Sequence, residues 1–282
     1  SVSGSVSNNA GTTPVSSSII IEEKPVTKLV SDPNELRIYQ VMVASFQDGD
    51  SSIGYTQMWG PDNQLKGGDL QGIINAVPYI KELGCNAIWM TPIFESGTGN
   101  EKLDATGYFA MDYFNIDDQF GTMEKFDELV ETCHNEGLAV ILDGVFGHNK
   151  GTVTPSPNRA GIKNPGITPD TNNPVNYATN PNSIKYYSDV ASYWITEHKI
   201  DGWRFDQCYQ VSLGENAKGT TADNCNTGGR NYWYDIRKVV EEASSSNGTK
   251  GVDWGTLGYM VGEHWRGDAS LIQKGTVASG NA

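Results

Sequence analysis

Three acidic residues sit at the ends of short apolar runs: Asp143 in VILDGVF, Asp206 in GWRFD and Glu263 in MVGEH. Carboxyl groups that converge on one bond can divide acid–base work, one ionised as a nucleophile and the other protonated as a proton donor. Arg204, two residues before Asp206, supplies the cation that favours the charged form of a neighbouring carboxylate. A single strand-end Asp is more often a helix cap or a loop anchor. Three such acids with an arginine among them call for a chemical explanation. His148, just past the Asp143 run, and Tyr108, in the aromatic stretch GYFAMDYF, could line the same site, although alone each reads as a loop histidine and a core ring.

Carboxylates far apart in sequence meet only if strands carry them to one edge. The run LRIYQVMVASF (36–46) is β-branched and aromatic and reads as a first strand. Leu70, Ile73, Ile74, Val77, Ile80 and Leu83 follow a helical period, with Pro78 expected to kink or break it. AIWMTPIF (87–94) is a second strand. Met123, Phe126, Leu129, Val130 and Cys133 mark a helix stopped by Gly137. AVILDGVF (139–146), IDGWRFD (200–206) and YMVGEHW (259–265) are further strands, separated by helical patterns at Ile184–Ile195 and Trp233–Val240. Such alternation implies right-handed crossovers and a parallel sheet. Each long insertion (47–68, 95–122, 147–182 and 207–229) follows a strand, not a helix. In a TIM (β/α)8 barrel those loops share the C-terminal face, where active sites lie. A doubly wound sheet is the alternative, but no GxGxxG opens the first helix.

The 282 residues suit one large barrel, typically about 250 residues. A formal net charge of −14 argues against nucleic acid and anionic membrane as partners. No run approaches the ~18 apolar residues of a membrane span. Residues 1–34, opening SVSGSVSNNAGTTPVSSS, are rich in Ser, Gly and Thr and read as a tail or linker. Such a polar start also suggests an extracellular or periplasmic protein. Cys85 and Cys133 read as buried apolar thiols, whereas Cys208 and Cys225 share one loop region and could be bridged or free.

The segments DGVFGH (143–148), DGWRFD (201–206) and VGEHW (261–265) resemble three ordered motifs of the α-amylase family of retaining glycoside hydrolases. GGDLQGI (67–73) and GYFAMDYFNIDDQFGT (107–122) resemble two more. The resemblance runs from about Leu36 to Trp265 and implies a barrel with a small domain at 147–182 inserted after the third strand. Residues 35–146 and 183–282 would form the two flanking parts of the barrel. It implies a substrate, α-1,4-glucan of starch or maltooligosaccharides, and cleavage through a covalent glycosyl-enzyme. Asp206 matches the nucleophile and Glu263 the general acid. Arg204 matches the cation that keeps the nucleophile ionised, so that one acid is charged and the other protonated. His148 matches a hydroxyl-binding histidine, Tyr108 an aromatic platform under the sugar, and Asp143 a supporting acid.

The sequence departs from the family at Gly147, which stands where Asn often precedes the histidine, and at Tyr209 and Gln210, where Lys-His often follows the nucleophile. Those departures argue against the calcium site usual between barrel and insert. A different calcium site is implied by Asp48, Asp50 and Asp69, which with the Gly67 carbonyl resemble a subgroup whose first loop closes on Ca²⁺. The null alternative is a solvated acidic turn. Only five strands can be counted before Ala282, so the sequence is expected to be part of a longer polypeptide. Three functions are compatible with this reading: α-glucan hydrolysis, transglycosylation by the same residues, and glucan binding without turnover.

Overall fold

A computed structural model describes residues 2–8, 11–17, 29–53, 56–57, 65–96, 106–156, 175, 181–206, 226–227, 230–248 and 257–263. Its centre is one five-stranded sheet of β1 (Ile38–Val41), β2 (Ala87–Met90), β3 (Ala139–Gly144), β4 (Gly202–Phe205) and β5 (Tyr259–Gly262). Every pairing is parallel, and the spatial order is the chain order. A doubly wound sheet reverses its strand order part-way across, at the point where it binds ligands. This sheet never reverses, so it has the topology of a barrel wall, with five of the eight strands of a TIM barrel.

Helices α1 (Leu70–Glu82), α2 (Met123–Asn135), α3 (Pro181–Thr196) and α4 (Tyr232–Gly248) make the successive crossovers. α1 runs through Pro78 without a break. Proline there removes one amide donor, and its exposed position leaves the freed carbonyl a turn earlier within reach of water. The Asp69 carboxylate caps α1 by accepting from the Gly72 amide at 2.6 Å, and Thr122 Oγ1 caps α2 by accepting from the Lys125 amide at 3.2 Å. Gly137, at φ 75°, ends α2 as the pattern predicts.

The period-two alternation of the strands divides their side chains between two apolar clusters. Ile88, Met90, Val140, Leu142, Trp203, Phe205 and Met260 join the helices in the large one. Ala87, Ala139 and Ile141 face the opposite way, in a small cluster with Leu257 and, at its margin, Trp89 and Tyr259. The concave interior of the barrel wall is therefore thinly filled, while the helix-covered side is dense.

Two expected strands are shorter than the apolar runs that suggested them. β1 stops at Val41, and Val43–Phe46 coils into a helical turn whose first amide, that of Val43, donates to Thr91 Oγ1 at 3.1 Å. β2 stops at Met90, two residues before Pro92, which has no amide to give the ladder. The opening segment, expected to be a tail, pairs as an antiparallel hairpin of Val2–Asn8 with Gly11–Ser17. Its Val2, Val6, Thr12, Thr13 and Val15 are β-branched residues, which favour extended pairing more than overall polarity suggests. Within the expected insert, Lys150 and Thr154 donate their amides to the carbonyls of Ala110 and Met111, and Val153 and Val175 are buried in the main core. Residues 157–174 and 176–180 of that insert, and Cys208 and Cys225, lie outside the described residues. Cys133 is buried and Cys85 half-buried, both as free thiols.

Candidate active site

The ladder continues past the strand ends and gathers the acids. The Asp206 amide donates to the Gly144 carbonyl of β3 at 3.0 Å, and the Glu263 amide donates to the Phe205 carbonyl of β4 at 2.8 Å. Arg204 lies in register with Asp143 on one side and Val261 on the other. Trp203 and Phe205 point outward into the helix layer, so Arg204 points inward. Sequence periodicity thus fixes which side of the wall the charge occupies.

Arg204 is the hub. One guanidinium nitrogen donates to both Asp143 oxygens at 2.8 Å and to Asp206 Oδ1 at 3.1 Å, while the other lies 3.0 Å from Glu263 Oε2. Asp143 is wholly buried, Asp206 and Arg204 are nearly so, and Glu263 is half-buried beside a cavity of about 340 Å³. Asp143 also accepts from the Tyr108 hydroxyl at 3.0 Å and from the Trp89 indole N–H at 3.3 Å.

Burial raises the Asp143 carboxyl to about 6, with Arg204 pulling the other way. Asp206 is pushed up to about 7, first by burial, then by the Asp143 charge and a hydrogen bond with Glu263, against the opposing pull of Arg204. The expectation that Arg204 alone keeps Asp206 ionised therefore meets a counterweight. One cation among three acids cannot neutralise all of them. The same burial raises the Tyr108 hydroxyl well above its usual range; it disfavours the Arg204 charge, but Asp143, Glu263 and Asp206 outweigh it and keep the guanidinium charged.

Tyr108 and His148 form the rim together. The His148 Nε2–H donates to the Tyr108 carbonyl at 3.0 Å, and burial favours its neutral form. Its ring lies 5.2 Å from that of Phe109. Gly107, at φ 77°, brings the chain so close to Pro92 that a Cβ there would overlap the Pro92 carbonyl oxygen, which allows Tyr108 to enter the site. The structure thus brings together all six residues expected at the strand ends: Asp143, Arg204, Asp206, Glu263, Tyr108 and His148.

Trp89 was missed. Besides its bond to Asp143, its ring lies under the Arg204 guanidinium, 5.1 Å from the centroid. Its position on the same strand face as Ala87, two residues along, was the available signal.

In the first loop, where the resemblance implies calcium, the acids face backbone and hydroxyl donors. Asp69 is buried, and its carboxylate accepts from the amides of Gly49 at 3.1 Å, Asp50 at 2.9 Å and Gly72 at 2.6 Å. Asp50 folds onto Ser52, accepting from its amide at 3.0 Å and its hydroxyl at 2.6 Å, which lowers the Asp50 carboxyl. Oxygens facing N–H donors at a helix N-terminus sit in positive potential, which repels a cation. Asp69 and Asp50 are thus engaged by N–H and O–H donors of the loop.

Comparison with known proteins agrees with this geometry. Residues 40–156 match the family model of the alpha amylase catalytic domain. The chain belongs to the α-amylase family. A cyclomaltodextrinase from Thermoanaerobacter pseudethanolicus is 31% identical over 90% of this chain and 43% of its own length. An intracellular maltogenic amylase from Bacillus subtilis is 36% identical over 61% of this chain and 33% of its own. The crystal structure of AmyP in complex with maltose superposes with a TM-score of 0.69 at 46% identity, covering 84% of this chain and 44% of that one. The chain thus spans less than half the length of each of these three relatives. No helix among the described residues is long and apolar enough to cross a membrane.

Proposed function

We propose that the protein hydrolyses α-1,4-glucosidic bonds of maltooligosaccharides with retention of configuration. The observation that carries this reading is the Arg204 hub, which binds three strand-end carboxyl groups at the open face of the wall. A sugar entering between Asp206 and Glu263 meets Asp206, paired with Arg204, as the nucleophile and Glu263 as the proton donor. Asp206 then attacks the anomeric carbon as Glu263 protonates the departing glycosidic oxygen. The C–O bond to the leaving sugar breaks, the bond to Asp206 forms, and Glu263 is left as a carboxylate. That carboxylate takes a proton from water, whose oxygen displaces Asp206 and restores both groups. Asp143, held by Arg204, Tyr108 and Trp89, fixes the hub without touching the reacting bond.

Solved relatives carry maltose or maltotriose, and curated relatives are named cyclomaltodextrinase and maltogenic amylase, so cyclic and linear maltooligosaccharides both belong in the test. Proton NMR of early products should show α-configured reducing ends. Early β-configured products would exclude the double-displacement route, and lengthened products dependent on an added acceptor would identify a transglycosylase. Binding with no turnover would leave a glucan-binding protein.

A further inference from the structure

We propose that Trp89 is a positioning residue of the site: its ring is the platform that holds the Arg204 guanidinium at the strand ends, and its indole N–H pins Asp143. This inference rests on the glycosidase reading for its kinetic consequences but not for its spectroscopic one.

The case begins with Arg204, which has to face three carboxyl groups at once. A long, flexible side chain surrounded by three acceptors could pair fully with any one of them. Asp143 and Asp206 hold one nitrogen of the fork and Glu263 the other, and all three act in the plane of their hydrogen bonds. Trp89 supplies the missing face. It sits on β2, in register with Ile141 of β3 and one inward-facing layer below Asp143. From there its ring faces the guanidinium, 5.1 Å from centroid to Cζ. A cation over an indole face within about 6 Å is attracted by the ring quadrupole, more strongly where water is excluded. Arg204 is 8% exposed, so little solvent competes. A plain hydrophobe could fill that volume but could not donate to Asp143 Oδ2, as the indole does at 3.3 Å.

The titratable groups around this point are Arg204 and Asp206 on β4 and its end, Asp143 on β3, Glu263 after β5 and Tyr108 on the rim loop. Of these, Arg204 is the only cation. Loosening it removes the one influence that favours ionised Asp206 and leaves burial and the other acids unopposed. Losing the ring should therefore move the acid limb of kcat/KM to higher pH. Losing only the N–H should leave that limb in place.

The experiment compares Trp89→Leu and Trp89→Phe with the native protein. For Trp89→Leu, kcat/KM on maltooligosaccharides should fall about tenfold or more, mainly in kcat, with the acid limb shifted upward. Trp89→Phe keeps an aromatic face and should restore most of both. In 15N-labelled native protein, the indole N–H signal that disappears in Trp89→Phe should titrate with the Asp143 carboxyl, with a midpoint near its value of about 6. An unmoved acid limb in both variants, or an indole signal flat from pH 4 to 8, overturns the proposal. Should Trp89→Leu fail to fold, Trp89→Phe and the indole titration still decide. If the native protein turns over no glucan, the glycosidase reading falls and the indole titration alone judges Trp89.

Discussion

The two sides of one sheet follow opposite rules. On the outer side, Trp203 and Phe205 stack with planes 13° apart, and Trp203 lies 5.6 Å from the Phe146 ring; both are wholly buried beneath helices. On the inner side, one residue away in the same strand, Arg204 stands among three carboxyl groups at a cavity. The outer layer gains stability from every atom it removes from water. The inner layer spends it, because charges are kept dry with only one counter-ion among them. A single β-strand can do both because its side chains alternate, so the scaffold need not compromise between packing and chemistry.

The largest effect that would test this division is that of Asp206→Asn. Activity should fall by more than about a thousandfold, since an amide cannot serve as the nucleophile. Stability should move the other way. The folded carboxyl, at about 7, lies above its ordinary unfolded value near 4. The native protein is therefore unpenalised below the unfolded value and progressively destabilised as pH rises through the folded one. Asn removes that loss, so the variant should match the native protein near pH 4 and exceed it at pH 8 by an amount on the order of a few kcal/mol. Denaturant unfolding across that range measures it. A variant that is inactive and less stable at pH 8 would show that the buried charge is not the cost assigned to it here.

Trp203→Ala tests the other side. Its indole N–H donates to the Ala191 carbonyl of α3 at 3.2 Å, and its ring contacts Phe94, Phe146 and Phe205. Truncating a buried aromatic of this kind costs about 3–5 kcal/mol. Urea midpoints should record that loss, while a loss below about 1 kcal/mol would mean the outer layer can collapse into the space.

A smaller effect separates two uses of an acid at the end of a strand or loop. Asp143 is satisfied by a guanidinium, whereas Asp69 is satisfied by backbone amides. Asp69→Ala should lower the thermal midpoint by the equivalent of about 1–2 kcal/mol, since it removes a helix cap and two loop acceptor contacts. Asp69→Asn should cost less, and a chelator should leave the native midpoint unchanged. A midpoint that falls on chelation, with the response gone in Asp69→Asn, would restore calcium to this loop.

That contrast also shows what the sequence could and could not disclose. Asp143, Arg204, Asp206 and Glu263 were legible because strand ends in a parallel sheet must converge, and the alternation in GWRFD assigned Arg204 to one face. Trp89 was not, because a lone aromatic in an apolar strand looks identical whether it fills a core or supports a cation. Asp69 was ambiguous for a different reason. An acid before a helix satisfies both a capping signal and a metal-ligand pattern, and only the positions of the Gly49, Asp50 and Gly72 amides choose between them. The boundaries of β1 and β2 depended on bonds from outside the strand, such as that of Thr91 to Val43.

The smallest prediction asks whether the outer layer can be strengthened without the site noticing. α2 and α3 both end in a residue with left-handed backbone: Gly137 at φ 75° after α2 and Lys199 at φ 64° after α3. An L side chain in that region is strained by roughly 1–2 kcal/mol relative to right-handed backbone, and glycine is not. Glycine in turn loses more freedom on folding, which offsets part of the gain. Lys199→Gly should therefore stabilise by only about half a kcal/mol, seen as a small rise in the urea midpoint with an unchanged slope. Lys199 leads through Ile200 into Asp201, whose amide donates to Val140 of β3 at 2.8 Å, so the substitution lies on the segment that sets the depth of β4. If the two sides of the sheet are as separable as their packing indicates, kcat/KM should not change. A rise in midpoint accompanied by a fall in kcat/KM would mean that the turn below β4 helps to place Arg204, and that the division between the layers is incomplete.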